Sequence, residues 1–240
     1  MTKQEIHQIV SRRSRPAKAP LGRDIIVTTA LDLLSRDGLS GLSLRKAAAA
    51  LDTGPASLYV YFANLGELHT LMLDRALSAV ALPAAREGGW RERLTFVLAS
   101  YLHVLYNGHG LAQLALSTIP TGPNALRLLE TLLELLLEGG IDQAVAAWAV
   151  DLLVLHVTSV AAEQSVRRDQ GYSFGPVIGA INAVSEADYP RIHGLREELL
   201  SGGLARFGWG VDVLINGILH APTLPIATED IAKPFVKPTE

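Results

Sequence analysis

The chain has 240 residues, 49% of them hydrophobic and only 6% aromatic, with no cysteine; this admits one large domain or a small domain joined to a larger one and excludes disulfides and thiolate chemistry. Leu and Ala dominate, which favours helix over strand. The net charge of −3 hides an asymmetry, since residues 1–50 hold nine Lys/Arg against four Asp/Glu and the other 190 hold twelve against twenty; a basic end on an acidic body points to a polyanionic partner for the N-terminus.

Met1–Pro20 clusters Arg12, Arg13, Arg15 and Lys18 with two prolines. It makes a poor core former and no secretory signal, so residues 1–20 are expected to be a flexible basic arm. From Gly22, the residues Ile25, Ile26, Thr29, Ala30, Leu33 and Leu34 recur at helical spacing until Asp37-Gly38, where glycine provides a natural stop. Ser43 is placed to cap a second helix, Leu44–Leu51, and Asp52 to make the following turn, because Asp tolerates a left-handed backbone. Thr53 can cap a third, short helix, with Pro55 in its first turn where a missing N–H does no harm. Asn64 caps a fourth helix running from about Leu65 to Leu82, ended by the Pro83–Gly89 stretch.

Further helices are expected at Trp90–Asn107, Leu111–Thr118, Pro123–Glu138, Ile141–Arg168, Val177–Ser185, Asp188–Leu200 and Leu204–His220, with Gly139-Gly140 and Ser201-Gly202-Gly203 as breaks. Residues 222–240 form a Pro-containing tail. The most apolar helix, Leu126–Leu137, is too short and too acidic to span a bilayer, so a soluble, cytoplasmic protein is expected. The fold class is all-α: a three-helix domain of helix-turn-helix form over residues 21–66, a fourth helix (64–82) leading out of it, and a larger helical domain over 83–221.

The third helix, Gly54–Tyr61, carries the functional signal. Leu31, Leu34, Leu44, Ala47, Ala48, Leu51, Leu58 and Phe62 suffice for the core of the three-helix unit, yet Gly54, Ala56 and Ser57 are small and Tyr59, Val60 and Tyr61 follow. A helix entering the major groove needs short side chains at its N-terminal end, where backbone and base edges approach most closely. Free N–H groups at the helix starts near Ser43 and Thr53 suit phosphates. Tyr59 and Tyr61 carry hydroxyls that can donate to the backbone, and Arg45 and Lys46 open the second helix within reach of a guanine edge or a phosphate.

Gly22–Leu68 resembles the DNA-binding segment of the TetR family of bacterial regulators. The run LDLLSRDGLSGLSLRKAAAALDTGPASLYVYFANLGEL has that family's order: a first helix ending in Gly, then S-x-R-x-x-A, then S-L-Y-x-Y-F, then the fourth helix. The resemblance implies that Arg45 touches a base or the backbone and that Ser43 and Thr53 bind phosphates. It also implies that Gly54, Ala56, Ser57 and Val60 face bases, and that Tyr59 and Tyr61 clamp the backbone. Two positions depart from the family: Asp52 stands where Gly is usual, and Leu65 where a Lys would meet a phosphate.

A weaker likeness lies in RFGWGVDVLINGIL, Arg206–Leu219, which is similar to the final helix of TetR-type proteins. Phe207, Val211, Leu214 and Ile218 share one stripe, and Val145, Trp148, Leu152, Leu155 and Ser159 another. In the family two such helices per subunit build a four-helix dimer interface; the same stripes would equally serve an intrachain core. Dimerisation follows from mechanism as well, because reading a palindrome takes two recognition helices about one DNA turn, ~34 Å, apart. Polar and aromatic groups interrupt apolar stretches at Tyr101, His103, Tyr106, His109, Trp148, Asp151 and His156, and these are the candidates for an effector pocket of mostly apolar walls.

The expected function is a DNA-binding regulator of the repressor type, released from a palindromic operator by a small, largely apolar effector. The alternatives are a protein of the same fold acting through protein partners, or an activator. A helical enzyme is disfavoured, since His103, His109 and His156 form no H-E-x-x-H or Glu-x-x-His array and neither a nucleophile motif nor a phosphate loop is present; no cofactor is expected.

Overall fold

The structure, a computed structural model, describes residues 21–83, 88–203 and 205–222. The expected basic arm, all but the first residue of the Pro-containing tail, and residues 84–87 and 204 lie outside the described residues. Every regular element described is a helix: α1 Arg23–Gly41, α2 Leu44–Ala50, α3 Pro55–Leu58, α4 Leu65–Leu77, α5 Trp90–Asn107, α6 Leu111–Leu116, α7 Pro123–Glu138, α8 Gln143–Asp169, α9 Gly175–Ala183, α10 Pro190–Gly194, α11 Arg196–Leu200 and α12 Ala205–Leu219.

Local chemistry sets most boundaries. Gly38 leaves helical geometry at φ 67°, as the Asp37-Gly38 stop anticipates, and a last turn carries α1 to Gly41. Asp52 takes φ 50° between α2 and α3, the left-handed turn that its short polar side chain tolerates. The cap of α3 is Gly54 rather than Thr53, and α3 itself is only four residues, with turns carrying the chain on to Phe62. Asn64 caps α4, accepting from the Glu67 N–H at 2.9 Å, while Glu67 accepts from Ala63 N at 2.7 Å. That helix ends at Leu77 and not at Leu82: the bonds Ser78→Arg75, Ala79→Ala76 and Val80→Leu77 tighten into three-residue steps as the buried Val80 is drawn inward. The single helix expected over Asp188–Leu200 divides at Leu195 and starts only at Pro190, since a residue before proline avoids helical backbone.

One continuous apolar core runs from Ile26 in α1 to Ile218 in α12. In the N-terminal unit, Ile26, Ala30, Leu34, Ala47, Ala48, Leu58 and Phe62 meet with almost no exposed surface. In the body, α8 is central and packs against α5, α6, α7 and α12. Its length and apolarity would suit a membrane span better than Leu126–Leu137 does. Here Val145, Ala149, Leu153, Val157 and Ala161 are instead buried against neighbouring helices, each fully buried branched side chain contributing about 1.5–3 kcal/mol.

Two joints connect the N-terminal unit to the body. Gly110, at φ 73°, opens α6 directly under α1, where an added Cβ would come within 2.8 Å of Leu34 Cδ1. The other joint is α4, whose Leu68, Met72, Leu73 and Leu77 are buried between the two parts.

Candidate nucleic-acid interface and effector cleft

The N-terminal unit anchors α3 by Leu58, while Gly54, Pro55, Ala56, Tyr59 and Val60 remain exposed. Val60 is 80% exposed and Tyr59 57%, large values for residues whose apolar surface would be buried if the segment were a core helix. The slim surface expected over Gly54–Tyr61 therefore projects from its domain. Ser57 and Thr53 are half-buried at its edge.

At the start of α2, Ser43 Oγ accepts from Lys46 N at 3.2 Å and still has its own proton to donate outward. Arg45 is exposed with no hydrogen-bond partner among the described residues, and Lys46 Nζ lies 3.5 Å from Asp37, a surface pair of little strength. The two tyrosines divide. The Tyr61 hydroxyl donates to the Leu21 carbonyl at 2.6 Å, and its own carbonyl accepts from Arg23 Nε at 3.1 Å. Its only hydroxyl proton is thus committed inside the chain, whereas the Tyr59 hydroxyl has no partner among the described residues. Arg23 also pairs with Glu67 at 3.1 Å, tying α1 to α4.

The seven candidates for an effector pocket are not brought together. Tyr101 is buried and shares a 2.8 Å hydrogen bond with Thr158; burial pushes its phenol pKa up, more than that bond pulls it down. His103 faces outward beside Asn107. Tyr106 and His109 do gather at the end of α8, where Arg168 stacks 4.6 Å over the Tyr106 ring and His109 Nε2 lies 3.3 Å from Asp169. His156 stacks on Phe207 with centroids 6.2 Å apart and faces Gly210, where an added Cβ would come within 3.3 Å of its Nε2, pinning α12 to α8. Trp148 and Asp151 point outward from α8.

An open cleft of about 480 Å³ lies between α6, α8 and the chain after α8, lined by Leu116, Ala162, Val166 and Tyr172, with Gln113, Ser159, Glu163 and Arg167 as its polar groups. Gln113 donates to Ser165 at 3.0 Å, while its Oε1 is buried without a partner among the described residues, as are Thr118 Oγ1 and His69 Nε2. Burial also lowers the His69 pKa. None of these residues was singled out from the sequence as a pocket residue, although Ser159 was placed on the α8 stripe. Gln113 had a usable signal, since it is the one polar residue in the apolar run LAQLAL.

The α12 stripe, which the sequence leaves open between a dimer interface and an intrachain core, lies largely against the chain's own core. Val211 is fully buried and Ile218 nearly so, with Phe207 and Leu214 half-buried beside them, all packed on the chain's own α8. A side chain with no exposed surface in the single chain has none to offer a partner. The faces left open are Trp209 (70% exposed) and Val213 on α12, and Trp148 (62%), Leu152 and Leu155 on α8. The segment α9–α11 has no buried residue at all.

Residues 82–221 match the family described as tetracyclin repressor-like, C-terminal domain. The HTH-type transcriptional repressor DrrR1 of Streptomyces coeruleorubidus is 30% identical over 86% of this chain and 80% of its own length. Among solved structures, SCO7704 of Streptomyces coelicolor, assigned as a transcription regulator, is 42% identical over 88% of this chain and all of its own, with a TM-score of 0.71. ActR of the same organism, a TetR family protein crystallised with actinorhodin, is 34% identical over 84% of this chain and 98% of its own, with a TM-score of 0.77.

Proposed function

The chain belongs to the TetR family of transcriptional regulators, and we propose on that premise that it acts in the cytoplasm as a homodimeric repressor, released from a palindromic operator by a small, largely apolar effector. It is a regulator rather than an enzyme. The observation that carries the reading is the surface of Gly54–Val60, small at its start and strongly exposed at Tyr59 and Val60, fixed from beneath by Leu58 and Phe62. Such a surface fits a major groove, with Val60 available to a thymine methyl group, Arg45 to a guanine edge, and Ser43 and Tyr59 to phosphates.

Dimerisation is supported by the open apolar faces of α8 and α12. Trp148, Leu152, Leu155, Trp209 and Val213 are costly to leave in water, and an interface of about 800 Å² per subunit covers a patch of that kind. Effector binding is supported by the cleft beside Gln113, whose volume falls within the ~300–1,000 Å³ of small-molecule sites, and by the ligand-bound state of ActR, which was crystallised with actinorhodin.

The test is selection from random-sequence duplex DNA by the purified full chain, followed by a mobility-shift screen of apolar small molecules for release. Enrichment of an inverted repeat and its loss with Arg45→Ala are expected. Recovery of unrelated sequences with salt-insensitive binding would overturn the operator reading.

A further inference from the structure

The joint between α4 and the body contains a buried carboxylate that the readings above leave unused. Asp74 is 6% exposed although it lies on a helix that is otherwise amphipathic. Its Oδ1 accepts from the backbone N–H groups of Asn124 and Ala125, both at 2.9 Å, and its Oδ2 accepts from Asn124 Nδ2 at 3.0 Å. These are the second and third residues of α7, the donors an N-cap side chain normally satisfies. Here the cap position is Gly122, which has no side chain, and the first helical residue is Pro123, which has no N–H. The cap of α7 is therefore supplied from α4. Gly122 is required for this: a Cβ there would overlap the Asp74 carboxyl group.

The next residue faces the other way. Arg75 is hydrogen-bonded to Asp24 at the start of α1, inside the DNA-binding unit. One turn of α4 thus grips the body through residue 74 and the reading unit through residue 75. An apolar helix contact can slide by fractions of a turn, whereas a carboxylate aimed at two backbone donors at a positive helix end is directional.

We propose that Asp74, seated on the N-terminus of α7 over Gly122, is a positioning residue that sets the tilt of α4 and with it the separation of the two reading surfaces in the dimer. The nine residues from Asp74 to the start of α4 make a lever of about 14 Å, so a tilt of about 10° moves the reading unit by about 2 Å in each subunit. Across both subunits that exceeds the ~3.4 Å rise of one base pair. A movement of α7 caused by a ligand in the body would reach the DNA by the same carboxylate.

The proposal rests on the operator reading, and the experiment separates the two. The full chain is titrated with its selected inverted repeat and with versions in which the half-sites are one base pair closer or farther apart, for the wild type and for Asp74→Ala, Gly122→Ala and Asp74→Asn. The wild type is expected to favour its own spacing by about 10-fold, within the 5–150-fold range of site coupling. Asp74→Ala and Gly122→Ala should flatten that preference to within about twofold while single half-site affinity is unchanged. Asp74→Asn keeps the shape and one acceptor oxygen and should fold normally with an intermediate preference. Wild-type discrimination persisting in every variant that folds, or affinity falling equally at all spacings with only a lower Tm, would overturn the positioning role. A wild type with no spacing preference would overturn the operator reading, and this proposal with it.

Discussion

Two surfaces of this molecule are exposed in ways a buried core does not explain, and they differ in chemistry. The first, at α2 and α3, presents Gly54, Ala56, Tyr59, Val60, Ser43 and Arg45: small groups, hydroxyls and a guanidinium with no partner among the described residues, around a single apolar tip. The second, on α8 and α12, presents Trp148, Leu152, Leu155, Trp209 and Val213, large apolar groups with Asp151 and Asp212 at their margin. Exposure alone does not name a partner. A hydrated polyanion is met by donors on a slim scaffold, whereas a second copy of the chain is met by surface that water solvates poorly.

If that contrast is right, the largest effect comes from the apolar face. Changing Trp148 and Trp209 together to Glu should convert the dimer to monomer in sedimentation velocity and lower operator affinity by about 30-fold or more, since buried tryptophans at interface centres carry 2 kcal/mol or more; a dimer that survives the double change would place the interface elsewhere. Next comes Arg45→Ala, expected to weaken operator binding by about 1–3 kcal/mol in a mobility-shift titration with Tm unchanged. Lys46→Ala should lower affinity for all sequences alike and reduce the salt slope by about 0.9.

The tyrosine pair sharpens the comparison within the reading unit. Tyr61→Phe removes the bond to Leu21 and should cost about 0.5–1.5 kcal/mol of stability by denaturant melt, with DNA binding following only through folding. Tyr59→Phe should leave the melt unchanged and weaken binding by a similar amount. Identical behaviour of the two variants would erase the division of roles.

The smallest effect is in pH. Because burial lowers the His69 pKa, the unfolded chain takes up a proton before the folded one as pH falls below the ordinary imidazole value of about 6.5, so stability declines on the acid side. His69→Gln should make Tm less sensitive between pH 7.5 and 5.5; an unchanged acid slope would assign that decline to other groups.

The reading unit was legible because its signals are local. Gly38 and Asp52 occupy the positive-φ positions their residue types suit, and Ser43 and Asn64 cap the helices they precede. The α12 stripe stayed ambiguous in the sequence because the helix has two apolar faces. Periodicity finds Phe207, Val211, Leu214 and Ile218 but does not reveal that α8 of the same chain already covers them. The cleft beside Gln113 was illegible for a related reason. Tyr101 and His103 are two residues apart on α5 and so point to different sides, and Trp148 with Asp151 shares the outer face of α8. The polar groups lining the cleft, Gln113 and Ser159, are brought close by packing across about 50 residues of chain. Asp74 looked like an ordinary polar position of an amphipathic helix; only the fold sets it opposite a cap position that has no side chain.

The central claim, that two copies of the Gly54–Val60 surface read one duplex together, is tested most directly by a hydroxyl-radical footprint of the full chain on its selected DNA. The account predicts two protected patches on one face of the duplex, centred about one helical turn (~34 Å) apart, both lost with Arg45→Ala. A single patch, or two patches on opposite faces, would contradict it.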